Sequence, residues 1–172
     1  MATTMRDHRR GEAADAARAA RRVCLTVLAT GLLAACSSTP KPVPPAKVNG
    51  TIQAAANLNP SVSGRPSPLH LRIYELKSAT AFNRSDFMSL YQADQTALGA
   101  DLVAREEHTL QPGESRPWVK TLGADTRFIG IVGLYRDLEH AVWRTVMPVQ
   151  PGREYKLTIR ADSLALSTSV QP

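Results

Sequence analysis

The sequence predicts an all-β fold: a two-sheet sandwich of seven or eight short strands carrying one helical insertion. Apolar residues recur with period two in several runs, turn-forming clusters separate those runs, and a single segment follows helical spacing instead. Each element can be justified in chain order.

Residues 1–35 read as a leader. Basic residues end at Arg21-Arg22, and Val23 to Ala35 is then apolar or small throughout. Thirteen residues span only about 20 Å as a helix, against a hydrocarbon core of about 30 Å, so the run is a secretory signal and not a membrane span. The start is Met1 or Met5. The run ends in Leu33-Ala34-Ala35-Cys36, similar to the bacterial lipobox, in which diacylglycerol is joined to the cysteine thiol and the leader is cut before it. The other cysteine, Cys24, leaves with the leader, so Cys36 has no partner in an exported chain. Acylation accounts for it, because two or more acyl chains anchor a protein stably where one is marginal. Ser37 follows the cysteine, which by analogy with bacterial lipoproteins directs the chain to the outer membrane, on its periplasmic face.

Residues 36–47 carry prolines 40, 42, 44 and 45. They read as a semi-rigid polyproline spacer of roughly 30 Å. The domain is residues 48–172. Val48, Gly50, Ile52 and Ala54 alternate with polar residues, as do Leu69, Leu71 and Ile73, and later Tyr155, Leu157 and Ile159. Tyr74 falls on the polar side of the second run. Leu164, Leu166 and Val170 mark a closing strand. Phe128 to Tyr135 is apolar almost without break, as in a central strand covered on both faces or a strand at a crowded core, and Gly130 and Gly133 within it indicate a bulge or close packing. Gln111-Pro112-Gly113, Gly123-Ala124-Asp125 and Gln150-Pro151-Gly152-Arg153 supply the turns. Ser85 is placed as a helix cap, with Phe87, Leu90, Tyr91, Asp94 and Leu98 at helical spacing and Gly99 as the stop. Trp118 and Trp143 belong in or beside the core.

The whole chain has a formal charge of +6, but the leader holds six basic and three acidic residues, leaving 15 basic against 12 acidic over the remaining 137. That argues against a nucleic-acid partner. No catalytic constellation assembles either. His70, His108 and His140 lie more than 30 residues apart, and Glu106-Glu107 on a strand point to opposite faces. Asp137, Glu139 and His140 share one loop, where a charged hairpin tip is a better reading than a weak divalent site. No metal, cofactor or small-molecule substrate is expected.

The segment Asn57-Leu58-Asn59-Pro60-Ser61-Val62-Ser63-Gly64-Arg65-Pro66-Ser67-Pro68 is long for a strand connection, and its three prolines and one glycine restrict it. It reads either as a solvated connector or as a binding loop in which Leu58 and Val62 offer apolar contacts and Arg65 a charge-assisted hydrogen bond.

Here a family resemblance joins the argument. Asn57-Leu58-Asn59-Pro60, Gly64-Arg65-Pro66-Ser67-Pro68-Leu69, Arg72-Ile73-Tyr74-Glu75-Leu76, Ser85-Asp86-Phe87 and Ala97-Leu98-Gly99-Ala100-Asp101 resemble the TssJ (SciN) family of type VI secretion lipoproteins. So do Arg105-Glu106-Glu107, Gln111-Pro112-Gly113-Glu114 and the run Ile129 to Trp143, all in the family's order. The resemblance implies a transthyretin-like sandwich, lipidated at Cys36 with diacylglycerol and an N-acyl chain and held at the outer membrane. It implies a structural role in which the first inter-strand loop, residues 57–66 here, contacts the periplasmic C-terminal region of TssM within a TssJ–TssL–TssM complex. A second reading is a lipid-anchored periplasmic sandwich that binds a small ligand or glycan, which needs an aromatic-lined cleft.

Overall fold

The computed structural model describes residues 42–171, so the leader, Cys36 and the first part of the proline-rich spacer lie outside the described residues. Eight strands form: β1 Lys47–Ala54, β2 Leu69–Leu76, β3 Leu102–Leu110, β4 Ser115–Thr121, β5 Phe128–Gly133, β6 Arg144–Pro148, β7 Glu154–Ala161 and β8 Leu166–Gln171. They make two four-stranded sheets, ordered β4-β1-β7-β8 and β3-β2-β5-β6. Every pairing is antiparallel except β1 with β7.

Alternation sends one face of each strand into the space between the sheets. Val48 and Ile52 from β1, Leu69, Leu71 and Ile73 from β2, Ile129 and Ile131 from β5, and Leu157 and Ile159 from β7 fill it. Trp118 on β4 is buried there, while Trp143 packs beside both core clusters. Each fully buried aliphatic side chain contributes about 1.5–3 kcal/mol.

The period-two pattern fails on β2, where Tyr74 is completely buried although the alternation turns it away from the inter-sheet space. Its cover is the β2–β3 connection, which folds as α1 Thr80–Arg84, α2 Phe87–Gln92, α3 Asp94–Leu98 and a 3₁₀ turn at Gly99–Asp101. Phe82, Leu90 and Leu98 from these helices form a second cluster with Tyr74, Leu76 and Val132 on the outer face of the sheet. β5 is therefore covered on both faces. Gly130 gives close packing and not a bulge: a Cβ there would sit 2.9 Å from the Phe82 ring.

The helical segment departs from its sequence reading in three ways. Asp86 caps α2, its carboxylate accepting from Ser89 N at 2.7 Å, whereas Ser85 ends α1 by donating its hydroxyl to Ala81 O. One expected helix is broken at Ala93, whose backbone leaves helical values. Tyr91 is exposed, stacked on Phe87 with the Arg72 guanidinium over its ring. Asp94 is the buried residue instead, accepting from Arg105 at 2.6 Å and from the Tyr74 hydroxyl at 3.2 Å. Burial pushes the Asp94 carboxyl up, but the Arg105 hydrogen bond and charge outweigh it and hold the group below the usual carboxylate range. Burial also lifts the Tyr74 phenol to about 12.

A candidate partner-binding loop

The strand directions give the sandwich two poles. The chain enters at one, where Ala46 is already buried, Leu122 N donates to Ala46 O and Gly152 N to Pro44 O. The β4–β5 and β6–β7 turns belong to this entry pole. The β1–β2, β3–β4, β5–β6 and β7–β8 connections gather at the other. β1 runs the distance between them, about 26 Å for its eight residues.

Glu75 ties the entry pole together. It points between the sheets from β2, is 3% exposed, and accepts from Gly123 N at 2.6 Å, the Thr126 hydroxyl at 2.8 Å and Lys120 Nζ at 2.8 Å. Burial raises its pKa, yet these donors, Gly123 first, bring it below the ordinary value. Lys120 also lies near Glu106, which accepts from the Trp118 indole at 2.7 Å, so charges seal the seam between β3 and β4. Glu106 and Glu107 lie on opposite faces of β3, as the strand geometry required.

At the loop pole, the segment 57–68 has a buried neck and an exposed tip. Leu58 is completely buried and Asn59 nearly so. Leu58 was expected to offer a contact to a partner; its side chain instead fills the core, because the chain has only just left β1 and still packs beneath it. Leu58 O accepts from Ser67 N at 2.9 Å, closing the neck. Beyond it, Ser61 to Arg65 forms a small hairpin: Gly64 N donates to Ser61 O and Ser61 N to Arg65 O, both at 2.8 Å. Gly64 has φ +76, the left-handed value that lets a three-residue hairpin loop close. The Ser61 hydroxyl accepts from Arg65 N and lies 3.0 Å from that of Ser63. Val62 is fully exposed at the apex, and Ser63, Gly64, Arg65 and Pro66 are exposed beside it. Asn57 is exposed and Pro60 half-buried at the neck.

Between the hairpin and the β5–β6 connection runs a groove of about 330 Å³ lined by Pro60, Ser61, Val62, Arg136, Asp137 and Leu164. None of these is aromatic, so the cleft that a glycan site needs is not built here. Arg136 had no signal in the sequence, and Leu164, read there as part of the closing strand, lies instead in the connection before β8, since only the fold brings these segments alongside 57–68. Asp137 and His140 bond to each other, with His140 Nδ1 2.9 Å from Asp137 Oδ1. Among the described residues no three His, Cys, Asp or Glu side chains are grouped as a metal site would require.

Comparisons with known proteins agree with this architecture. Residues 46–164 match the family described as type VI secretion lipoprotein, VasD, EvfM, TssJ. The chain is similar to the crystal structure of the type VI secretion lipoprotein TssJ1 from Pseudomonas aeruginosa, at 44% identity and a TM-score of 0.73, over 75% of this chain and 98% of that one. It shares its fold with a chain of a type VI membrane complex, at 24% identity and a TM-score of 0.62, over 73% of this chain and 98% of that one. It also shares it with a chain of a structure described as the TssM C-terminal domain (869–1107) from EAEC, at 24% identity and a TM-score of 0.57, over 73% and 98%. No curated protein matches the chain.

Proposed function

The chain belongs to the type VI secretion lipoprotein family that includes TssJ and VasD, and on that premise we propose that it is an outer-membrane adaptor for the periplasmic part of TssM. As a member of that family it is a structural subunit and not an enzyme. In this reading residues 1–35 are removed, Cys36 carries diacylglycerol and an N-acyl chain, and residues 36–47 hold the domain off the inner leaflet of the outer membrane. The exposed part of residues 57–66 receives the TssM C-terminal domain, in a complex completed by TssL.

The observation that carries the proposal is the opposition of the two poles. The spacer enters at one end, and the hairpin tip with its neighbouring connections stands about 26 Å away at the other. A protein tethered at one end and gripped at the other transmits load along its strands, which the sheet hydrogen bonds resist together. The tip suits binding because its internal bonds and its prolines leave little conformational entropy to lose. The acyl chains supply the hold on the membrane, at about 0.8 kcal/mol for each buried methylene.

Two measurements test this. Cys36→Ala is expected to leave a folded domain, remove it from the outer-membrane fraction and stop secretion. Replacing Ser61–Arg65 by a Gly-Ser linker of equal length is expected to abolish retention of the TssM C-terminal domain in a pull-down. Retention at the parental level would show that the contact lies elsewhere.

A further inference from the structure

We infer that Asn59 is the positioning residue of the loop pole: its buried side-chain amide ties the neck of the loop to the β5–β6 connection while its backbone N–H reaches the β7–β8 turn, and together these set the surface offered to the partner. The inference rests on the proposed role of residues 57–66.

Asn59 is 3% exposed and makes bonds in three directions. Its Nδ2 donates to Pro68 O at 2.8 Å, across the neck of its own loop. Its Oδ1 accepts from Arg136 N at 2.9 Å, on the β5–β6 connection. Its backbone N donates to Ser163 O at 3.0 Å, in the β7–β8 turn. The remaining side-chain hydrogen bonds within 57–68, those of Ser61, Ser63 and Ser67, stay inside the loop. Among the described residues, then, Asn59 alone of this loop uses its side chain to reach another segment.

The position also restricts what residue can stand there. Asn59 has φ +44, the one positive value outside glycine among the described residues. Asparagine is among the few residues that visit this region readily. Glycine would accept the backbone and lose both amide bonds. Aspartate would keep the acceptor for Arg136 N but set a second oxygen against Pro68 O. Alanine would lose the bonds and strain the backbone. Asparagine meets every requirement with one short neutral side chain.

Without the clamp the hairpin keeps its own turn but loses its bearing on Arg136 and Leu164. A loop that holds the binding arrangement for about a tenth of the time binds about tenfold more weakly. The test uses the full-length lipidated protein in detergent and the TssM C-terminal domain as the probe. Asn59→Asp is expected to weaken binding about tenfold at pH 7.5 and to melt within about 5 °C of the parent. Hydrogen exchange at the amide of Ser67, which closes the neck, is expected to speed up, while the amides of Ser61, Gly64 and Arg65 inside the retained turn stay as in the parent. At pH 5 the carboxyl in this buried place takes a proton, donates to Pro68 O and recovers binding. The parent, measured alongside, controls for the other ionisable side chains at the same pole, Arg136, Asp137, His140, Arg160 and Asp162. A role confined to stability would change melting and not produce that recovery. If Asn59→Asp failed to fold, Asn59→Gly would replace it, with the same loss of affinity and faster exchange expected and no recovery at pH 5. Parental affinity in the folded variant, with binding still lost on replacing Ser61–Arg65, would overturn the clamp and leave the loop assignment standing. Binding that survives the Ser61–Arg65 replacement would overturn both.

Discussion

Two buried polar side chains, Glu75 and Asn59, tie the two poles of the sandwich, and they do so with different chemistry. Glu75 sits on a strand and gathers a charged lysine, a hydroxyl and a backbone N–H around one carboxylate. Asn59 sits in a loop and spends a neutral amide on two backbone groups. The charged knot joins the two sheets, so the fold itself depends on it. The neutral one joins connections that the sheets already hold at their ends, so it governs the shape of a surface. Strength is placed where the spacer enters, and adjustable geometry where a partner arrives.

The largest expected effect comes from breaking the charged knot. Glu75→Gln keeps the shape but must face its one NH2 toward either Gly123 N or Lys120 Nζ, which bind different carboxylate oxygens, and in both cases leaves the lysine without its nearest anion. The lysine is 28% exposed and retains Glu106 at 3.5 Å, which softens the loss. A destabilisation of about 2–4 kcal/mol is expected, read as a lowered urea midpoint at unchanged slope. A change below about 1 kcal/mol would erase the contrast between the poles.

Acid probes the same contrast without mutation. Glu75 and Asp94 both have folded pKa values below their ordinary ones, so their contribution is present above the unfolded value, about 4. It is lost as the pH falls through the lower folded value. The urea midpoint of the parent is expected to hold between pH 6 and 8 and to drop below about pH 4. Glu75→Gln is expected to drop less over that acid interval, and an equal drop would assign the acid sensitivity to other carboxyls. The neutral amide of Asn59 adds nothing to it.

How much of this was legible follows from which residues have partners close in sequence. β1 and β7 announce themselves because alternation is a local property, and the Gln150–Arg153 turn between β6 and β7 needs only its own proline and glycine. Tyr74 was placed on a polar face because its cover comes from helices that begin six residues later and belong to another periodicity. In the sequence Asp94 is only one of the positions at helical spacing, with nothing nearby to mark its partners. Its burial depends on Arg105 and Tyr74, 11 and 20 residues away on two strands. The loop was picked out by its length and prolines, yet period two cannot say which way a loop residue faces. Leu58 and Val62 were therefore read alike, and the fold separates them completely, one into the core and one into solvent.

Smaller effects are expected at the tip. Gly64 has φ +76, and a Cβ there would meet no atom within 4 Å, so Gly64→Ala strains the backbone without a clash. About 1 kcal/mol is expected, read by urea melts, with faster exchange at Ser61 and Arg65 and none at the strands. Slower binding to the TssM C-terminal domain with an intact fold would place the hairpin shape, and not only its residues, in the contact.

The smallest effect on the fold is also the sharpest test of the division between the poles. Val62 is fully exposed, so Val62→Thr, which keeps the β-branched shape and exchanges a methyl for a hydroxyl, is expected to change stability by less than about 0.5 kcal/mol. A valine that becomes buried only against a partner behaves differently. Covering such a side chain gains about 1.5–3 kcal/mol, and exchanging one of its methyls for a hydroxyl forfeits about 1 kcal/mol of that, or roughly fivefold in affinity. Titration with the TssM C-terminal domain and urea melts on one preparation read both numbers together. Weakened binding beside an unmoved midpoint means the apex makes the contact. If neither moves, the contact is made by the flanks of the hairpin, Arg65 and Pro66 on one side or Pro60 on the other, and the apex merely carries the chain around the turn.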